Sequence, residues 1–229
     1  MRILISLALV IVARTACAAD APPVPGPPTY RGLAIRASIV DDETGDPVEG
    51  VVAVVHWELK GRGAYPKGNL KIMETVSDSH GIIQFPAWGP LPRPPEGRLD
   101  SIQPGLLLFK QGYQYAHLFN ALYTDVDPRD TRASDWDGKT IRLKRAPLWL
   151  QDYANQLSLL DGVEMEFAFG YDDCAWKEIP RLLAAVFKLD RSLRDQHFES
   201  SVTPLKARER NALRRGCGSM ELYLREYLK

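Results

Sequence analysis

Histidine and cysteine are scarce in this sequence, and neither occurs in the spacing of a familiar kind of site. The 229 residues include four histidines and three cysteines. His56, His80, His117 and His197 form no His-x-His or His-x-x-x-His pair, so no single strand or helix presents two of them to a metal ion. We expect structural or solvated roles for all four histidines, and we predict neither a metal site nor a cofactor.

An excess of charge of one sign is also absent. The 29 basic and 29 acidic residues cancel, and the isoelectric point is about 6.9. Nucleic-acid binders concentrate Lys and Arg on one surface, so we predict no nucleic-acid partner. Residues 124–138 are rich in aspartate but lack the glycine and the late glutamate of a calcium-binding EF-hand loop, which predicts a solvated loop. The aspartates are Asp125, Asp127, Asp130, Asp135 and Asp137.

A long apolar run occurs only at the N-terminus. It covers residues 3–13, follows Arg2, and leads to Ala16-Cys17-Ala18, which fits the small-x-small rule of signal peptidase. We predict that residues 1–18 are a signal peptide cleaved between Ala18 and Ala19, that the product is periplasmic or secreted, and that the mature chain has no transmembrane segment. The alternative is a lipid anchor on Cys17, although Arg14 stands where that signal usually has leucine.

Export to an oxidising compartment affects the expected redox state of the two remaining cysteines. Once the signal peptide is removed, Cys174 and Cys217 are left, and an even number of cysteines in an oxidising compartment favours a disulfide between them. The competing interpretation is that Cys174, which lies near a helix start, is a catalytic nucleophile with His197 as its base. The sequence has no Gly-x-Ser-x-Gly elbow and no phosphate-binding glycine loop. We therefore predict no catalytic residue.

The first half of the chain has the pattern of a β-sheet protein. Five prolines in residues 19–32 predict a stiff tether, and residues 35–59 then read as two alternating strands around a turn in which Gly45 takes a positive φ. With this hairpin included, about seven strands are predicted within residues 33–145. Prolines in residues 86–104 predict a long surface excursion, and we predict that Arg93 within it contacts a partner, because the flanking prolines limit the entropy lost on binding.

Three segments carry a resemblance to a known family. VDDETGDPVEGVVAVV, SDSHGIIQF and PGLLLFKQGYQ resemble the successive signatures of the carboxypeptidase regulatory-like domain, over residues 33–145. The resemblance implies a seven-stranded, transthyretin-like antiparallel β-sandwich that acts as a non-catalytic accessory or binding module. The proline-rich insertion after Phe85 departs from the family pattern.

From residue 146 to residue 229 the apolar period changes from two to about 3.6, which predicts a helical region and an α+β fold class. One helix ends at Gly162. A second is capped by Asp172 or Asp173 and has an apolar stripe from Ile179 to Leu193. A third lies between Pro204 and Gly216, and Ser219 caps the last. No family is recognised for this region.

Aromatic residues are the remaining candidates for recognition. Five of them, in and between the predicted strands, could form a platform on which a sugar stacks, or could pack in the core, which is favoured for Trp57 and Tyr113. The set is Trp57, Tyr113, Tyr115, Phe119 and Trp136. The sequence as a whole predicts an exported, non-catalytic binding module of the bacterial cell envelope, with an envelope protein or glycan as partner. The alternative is a periplasmic enzyme of the hydrolase class whose active-site residues are dispersed along the chain.

Overall fold

The computed structural model describes residues 28–61, 65–100, 102–121, 131–171 and 174–229. Strands precede residue 146 and helices follow it, so the α+β prediction is confirmed. The signal peptide, its cleavage site at Ala18 and Ala19, Cys17, most of the predicted tether, and Asp125, Asp127 and Asp130 lie outside the described residues. The strands are β1 Thr29–Gly32, β2 Ile35–Asp41, β3 Val52–Lys60, β4 Pro66–Val76, β5 Ile82–Phe85, β6 Trp88–Pro92, β7 Arg98–Leu99, β8 Gly105–Phe109, β9 Ala116–Phe119, β10 Thr131–Arg132 and β11 Thr140–Leu143.

The strands form a β-sandwich with more strands than the seven predicted. The central sheet has the order β4-β3-β8-β9, with β7 paired to the end of β3, and two three-stranded sheets have the orders β11-β2-β5 and β10-β1-β6. The predicted surface excursion over residues 86–104 contributes β6 and β7. Pairing is also not purely antiparallel, because β11 joins β2 and β10 joins β1 in parallel. The connection to each of these late strands is long enough for the crossover that a parallel pair requires.

Strand β3 lies at the centre of the protein and is buried on both faces. Ala53, Val55 and Trp57 pack against the opposing sheet, whereas Val52 and Val54 pack against the helices. An antiparallel strand with one solvated face alternates apolar and polar residues, but a strand covered on both sides reads as a continuous apolar run. This explains the sequence VVAVVHW, in which His56 is the one strongly polar residue.

Turns at the start of the sandwich follow the sequence closely. Gly45 has φ +76°, as predicted, and its N–H donates to the carbonyl of Asp41 at 2.9 Å. The carboxylate of Asp41 accepts from the N–H groups of Glu43 and Thr44. These hydrogen bonds lower the pKa of Asp41, the bond from Thr44 most strongly, and they close the turn without a long loop.

The helical region packs on the free face of the central sheet. Leu157, Leu160, Leu182 and Val186 belong to the same buried cluster as Val54 and its strand neighbours, so sheet and helices share one core. The elements are α1 Leu150–Leu159, a π-helical turn Leu160–Glu164, α2 Glu166–Phe169, a 3₁₀ turn Ala175–Glu178, α3 Pro180–Asp195, α4 Leu205–Arg214 and α5 Met220–Leu224. None of the helices in the described ranges has the length and apolar composition needed to cross a bilayer.

Two helix boundaries differ from the sequence prediction. The first helix does not end at Gly162, because the chain continues through the π-helical turn. The N-terminus of α3 is satisfied by Glu74 of β4, whose carboxylate accepts from the N–H groups of Arg181 at 3.0 Å and Leu182 at 2.8 Å. Burial raises the pKa of Glu74. Asp172 and Asp173, the predicted caps, lie outside the described residues.

The predicted disulfide is confirmed. Cys174 and Cys217 are bonded with their Cα atoms 5.6 Å apart, which joins the start of the 3₁₀ turn to the segment before α5. Ser219 caps α5 as predicted, accepting from the N–H of Leu222 at 3.0 Å. The disulfide therefore fixes the last two helices to the part of the chain that lies against the sheet.

Candidate functional site

Two of the four histidines meet on the helix-facing side of the central sheet. His56 on β3 and His117 on β9 are separated in the sheet by β8, yet their Nε2 atoms are 3.1 Å apart. The residue of β8 opposite His56 is Gly105, and a Cβ there would lie 2.4 Å from His56 Nε2. The missing side chain at Gly105 is what allows two non-neighbouring strands to bring their histidines together.

The second nitrogen of His117 contacts a carboxylate from the helical region. His117 Nδ1 and Glu164 Oε2 are 2.6 Å apart, and the hydroxyl of Tyr115 donates to Glu164 Oε1 at 3.4 Å. Burial, followed by the charge of Glu164, raises the pKa of Tyr115. Glu164 is the last residue of the π-helical turn, and such turns are frequently found at functional sites in proteins.

These contacts form a hydrogen-bonded series of His56, His117 and Glu164. When Glu164 accepts from His117 Nδ1–H, His117 Nε2 accepts from His56 Nε2–H, and His56 Nδ1 is left as an acceptor. His56 is 1% exposed and stacks on Phe167 at 4.2 Å. Burial, and secondly the neighbouring His117, lower the pKa of His56 to about 3, so the His56 imidazole is neutral at physiological pH.

We name the cavity beside this series the His56 pocket. Its volume is about 210 Å³. Its wall includes three carboxylates and several apolar or aromatic side chains, and Phe119 and Val163 at its edge are 48% and 58% exposed. The lining residues are His56, Glu58, His117, Phe119, Val163, Glu164, Glu166, Phe167 and Tyr171.

Acidification from pH 7 to pH 5 is expected to lower the free energy of unfolding by about 2 kcal/mol through His56 alone. The pKa of His56 is about 3 in the folded protein and has its ordinary value of 6.5 in the unfolded chain. The unfolded state therefore binds a proton that the folded state does not. This stabilisation is complete above pH 6.5 and is lost as the pH falls towards 3, which urea unfolding at a series of pH values measures.

His56→Gln is expected to remove this pH dependence, because glutamine keeps a donor but does not titrate. His80→Gln is the matched control, since His80 lies in an exposed turn. Burial raises the pKa of Glu74, so the contribution of Glu74 to the free energy of unfolding increases as the pH falls, opposite to that of His56. Each variant is therefore compared with the wild type at the same pH. An unchanged slope in His56→Gln would contradict the assignment.

Gly105→Ala tests the space on which the histidine pair depends. The new Cβ would lie 2.4 Å from His56 Nε2 and 2.8 Å from Cε1, so the imidazole has to move. We expect a loss of about 1–3 kcal/mol in the free energy of unfolding, as for other overpacked cores. The imidazole NMR signal of His117 should shift as well.

Gly162→Ala is the control for this substitution. Gly162 lies in the π-helical turn, and apart from its chain neighbours and the backbone of its own turn no atom lies within 4 Å of the place that an alanine Cβ would take there. Alanine should therefore leave stability unchanged or raise it by up to about 1 kcal/mol. Equal stability of the wild type and Gly105→Ala would show that His56 does not need this gap.

The other sequence candidates lie elsewhere. Cys174 is bonded to Cys217 and is therefore not a free nucleophile for His197. Trp57 and Trp136 are buried in the sandwich core, and the hydroxyl of Tyr113 donates to Asp41, so these three form no exposed sugar platform. Of the five aromatic candidates, Tyr115 and Phe119 are the two beside the His56–His117 pair.

The sequence alone does not reveal this site because the residues that form it are far apart in the chain. His56 and His117 are 61 residues apart, and Glu164 is another 47 residues on. One signal was present: a histidine in the middle of an apolar strand needs a buried partner. Within the described ranges no group of three metal-ligating side chains has the arrangement to hold a metal ion.

Arg93 is packed against the N-terminal strand. Its guanidinium lies 4.8 Å from the centre of the Tyr30 ring, and the backbone N–H of Arg93 donates to the carbonyl of Pro28 at 3.0 Å. It also lines a cavity of about 760 Å³ together with Pro94, Pro95 and basic side chains of β3 and β4. The contact of Arg93 with a partner stays a prediction. The segment that carries Arg93 is not a free loop, because these contacts hold it against the start of the sandwich.

No protein-family model and no curated protein sequence matches this chain. Solved structures that are similar over part of it include the following three. A streptococcal ancillary pilin is 15% identical, with a TM-score of 0.27 over 52% of this chain and 30% of the pilin. The 3-chlorocatechol 1,2-dioxygenase from Rhodococcus opacus 1CP is 15% identical, with a TM-score of 0.30 over 52% of this chain and 60% of the enzyme. A 9R-lipoxygenase from Cyanothece PCC8801 is 9% identical, with a TM-score of 0.26 over 76% of this chain and 26% of the enzyme. The chain thus spans less than two thirds of each, and at these TM-scores the likeness carries no argument about function.

Proposed function

We propose that this chain is an exported, non-catalytic binding module of the cell envelope and that the His56 pocket is its ligand site. The observation that carries the proposal is the arrangement of His117. Its Nδ1 is held by Glu164 and its Nε2 by His56, so neither nitrogen is left to take a proton from a substrate. The pocket nevertheless has convergent polar groups and apolar walls, which is the composition of a binding site.

The predicted export and the family resemblance of residues 33–145 support the same function. The predicted signal peptide over residues 1–18 and the Cys174–Cys217 disulfide fit an oxidising compartment, either the periplasm or the exterior, with lipid anchoring through Cys17 as the alternative. The resemblance of residues 33–145 to carboxypeptidase regulatory-like domains favours a binding role. An envelope protein or glycan is the proposed partner, with Arg93 at its contact.

A hydrolase is the second candidate, and the His117–Glu164 pair favours it. A histidine whose Nδ1 lies 2.6 Å from a carboxylate is oriented as a general base is in many hydrolases. For this role His56 has to leave His117 Nε2, and a nucleophile or water has to replace it. No serine, threonine or cysteine is among the residues that line the His56 pocket.

Hydrolysis assays separate the two functions. The purified, disulfide-bonded protein is tested against chromogenic esters, amides, phosphate esters and glycosides, in parallel with His117→Ala. A binding module should show no turnover that depends on His117. Turnover that His117→Ala abolishes, with the fold intact by circular dichroism, would establish the hydrolase and end the binding-module proposal.

Photocrosslinking in cells tests the partner contact. A photoreactive amino acid at Pro95, which is exposed beside Arg93, should give a discrete adduct. Arg93→Gln should weaken the adduct, whereas Arg36→Gln, at an exposed arginine of β2, should not. Equal adducts in all three proteins would remove Arg93 from the proposed contact.

A further inference from the structure

We propose that the His56 pocket binds a primary ammonium or guanidinium group carried on a short apolar stem. This inference rests on the proposed binding function and names the chemical class of its ligand. It draws on three features of the pocket: the sign of its charge, an unpartnered buried nitrogen, and the apolar side chains at its edge.

The charge of the lining favours a cation. Glu58, Glu164 and Glu166 line the pocket, and no lysine or arginine does so. Lys60 is close by, with its Nζ 3.6 Å from Glu58 Oε1, and offsets part of that one charge. Glu164 already contacts His117 through one carboxylate oxygen, whereas Glu166 lies exposed at the start of α2. A cationic ligand would be attracted by this wall, and an anionic ligand would be repelled.

The second feature is a buried nitrogen without a partner. His56 lines the pocket and is 1% exposed, and its Nδ1 has no hydrogen-bond partner in the described part of the chain. A buried polar atom left unpaired costs about 1–3 kcal/mol, which a ligand can recover. In the tautomer in which His117 Nδ1–H donates to Glu164 and His56 Nε2–H donates to His117, this nitrogen is an acceptor. It therefore requires a donor, and ammonium and guanidinium groups are donors only.

The edge of the pocket fits the stem of such a ligand. Phe119 and Val163 are large, apolar and about half exposed, and Phe119 lies 4.5 Å from the ring of His117. Aliphatic stems of amines pack on such side chains, and an aromatic face attracts a cation. A cavity of about 210 Å³ accommodates one such side-chain-sized group and not an extended glycan.

Two sources can supply this group: a free alkylamine, or a lysine or arginine side chain of a partner. The experiment is an NMR titration of the wild-type, disulfide-bonded protein labelled at its histidines. The probes are n-butylammonium chloride and N-acetyl-lysine methylamide, with n-pentanol and the doubly acetylated lysine amide as uncharged analogues. Both cations should shift the His56 and His117 signals, and both uncharged analogues should leave them unchanged.

Variants locate the site. Glu166→Gln, at an exposed position, and Glu164→Gln should each weaken n-butylammonium binding by about tenfold or more, which corresponds to loss of one charged hydrogen bond. Glu178→Gln removes an exposed carboxylate from a different surface and should bind like the wild type. If Glu164→Gln fails to fold, Glu166→Gln and its control still decide the question. Tighter binding of n-butylammonium than of the lysine amide assigns the free amine as the source, and tighter binding of the lysine amide assigns a protein side chain.

Other outcomes overturn the inference and separate it from the proposed function. Binding of n-pentanol, acetate or Zn²⁺ in place of the ammonium group would show that the pocket binds a different class of ligand, and the binding module would stand. No shift of either histidine at any ammonium concentration that leaves the protein folded would reject the cation site. His117-dependent hydrolysis would reject the proposed function, whatever the titration shows.

Discussion

Opening the Cys174–Cys217 disulfide is expected to lower the free energy of unfolding by about 4 kcal/mol. The bond closes a loop with a sequence separation of 43, and the chain-entropy estimate for a loop of that length is of this size. The loop contains all of α3 and α4, so its release gives the unfolded chain much more freedom. Urea unfolding of Cys174→Ser/Cys217→Ser against the oxidised wild type measures the loss.

Reduction of the wild type provides the matched control. Under a thiol reductant the wild-type protein should unfold at the same urea concentration as the double variant, and the double variant should not respond to the reductant. The effect should appear in the helical region first, because Cys217 lies beside α4 and α5. Identical midpoints for oxidised and reduced wild type would show that the packing of the helices, and not the bond, holds this region.

The features that the sequence predicts well are those specified by neighbouring residues. The turn at Gly45 depends on one glycine and on the adjacent side chains of Asp41 and Thr44. Helix α3 depends on an apolar stripe with helical spacing, and its buried positions include Leu182, Val186 and Leu189 as expected. In these cases the local pattern and the tertiary environment favour the same structure.

The features that the sequence does not reveal depend on distant contacts. Glu74 caps α3 from 107 residues away, where the sequence suggests a local aspartate. The His56 pocket depends on an absent side chain at Gly105 and on a π-helical turn at Glu164, and neither has a periodic signal. A single sequence shows which residues are polar and buried but does not show which of them meet. For the same reason the four histidines look isolated in the sequence.

The position of Glu164 depends on a buried ion pair one turn earlier in the chain. Asp161 and Arg208 are 5% and 6% exposed, and Arg208 Nη2 lies 2.5 Å from Asp161 Oδ1. The other carboxylate oxygen of Asp161 accepts from the N–H of Thr203 at 2.9 Å. Arg208 also lies over the ring of Phe169 at 3.5 Å. These contacts fix the π-helical turn to α4 and α2, and thereby hold Glu164 beside His117.

Asp161→Asn is expected to lower the free energy of unfolding by about 3–5 kcal/mol, because it leaves the buried guanidinium of Arg208 without a counter-charge. Burial lowers the pKa of Arg208, and the charge and hydrogen bond of Asp161 oppose this effect. Asparagine has nearly the same shape and still accepts from Thr203, so most of the loss is electrostatic. Urea unfolding measures the loss, and the imidazole signals of His117 report whether Glu164 has moved.

Two further variants make this prediction decisive. Glu226→Gln removes an ion pair with Lys229 whose side chains are 71% and 67% exposed, and it should change stability by less than about 1 kcal/mol. Asp161→Asn/Arg208→Met removes both buried charges and should be more stable than Asp161→Asn alone, because no charge is then left unpaired in the core. If Asp161→Asn costs no more than Glu226→Gln, the buried pair does not hold the turn. Normal His117 signals in a strongly destabilised Asp161→Asn would show that the turn keeps Glu164 in place without this pair.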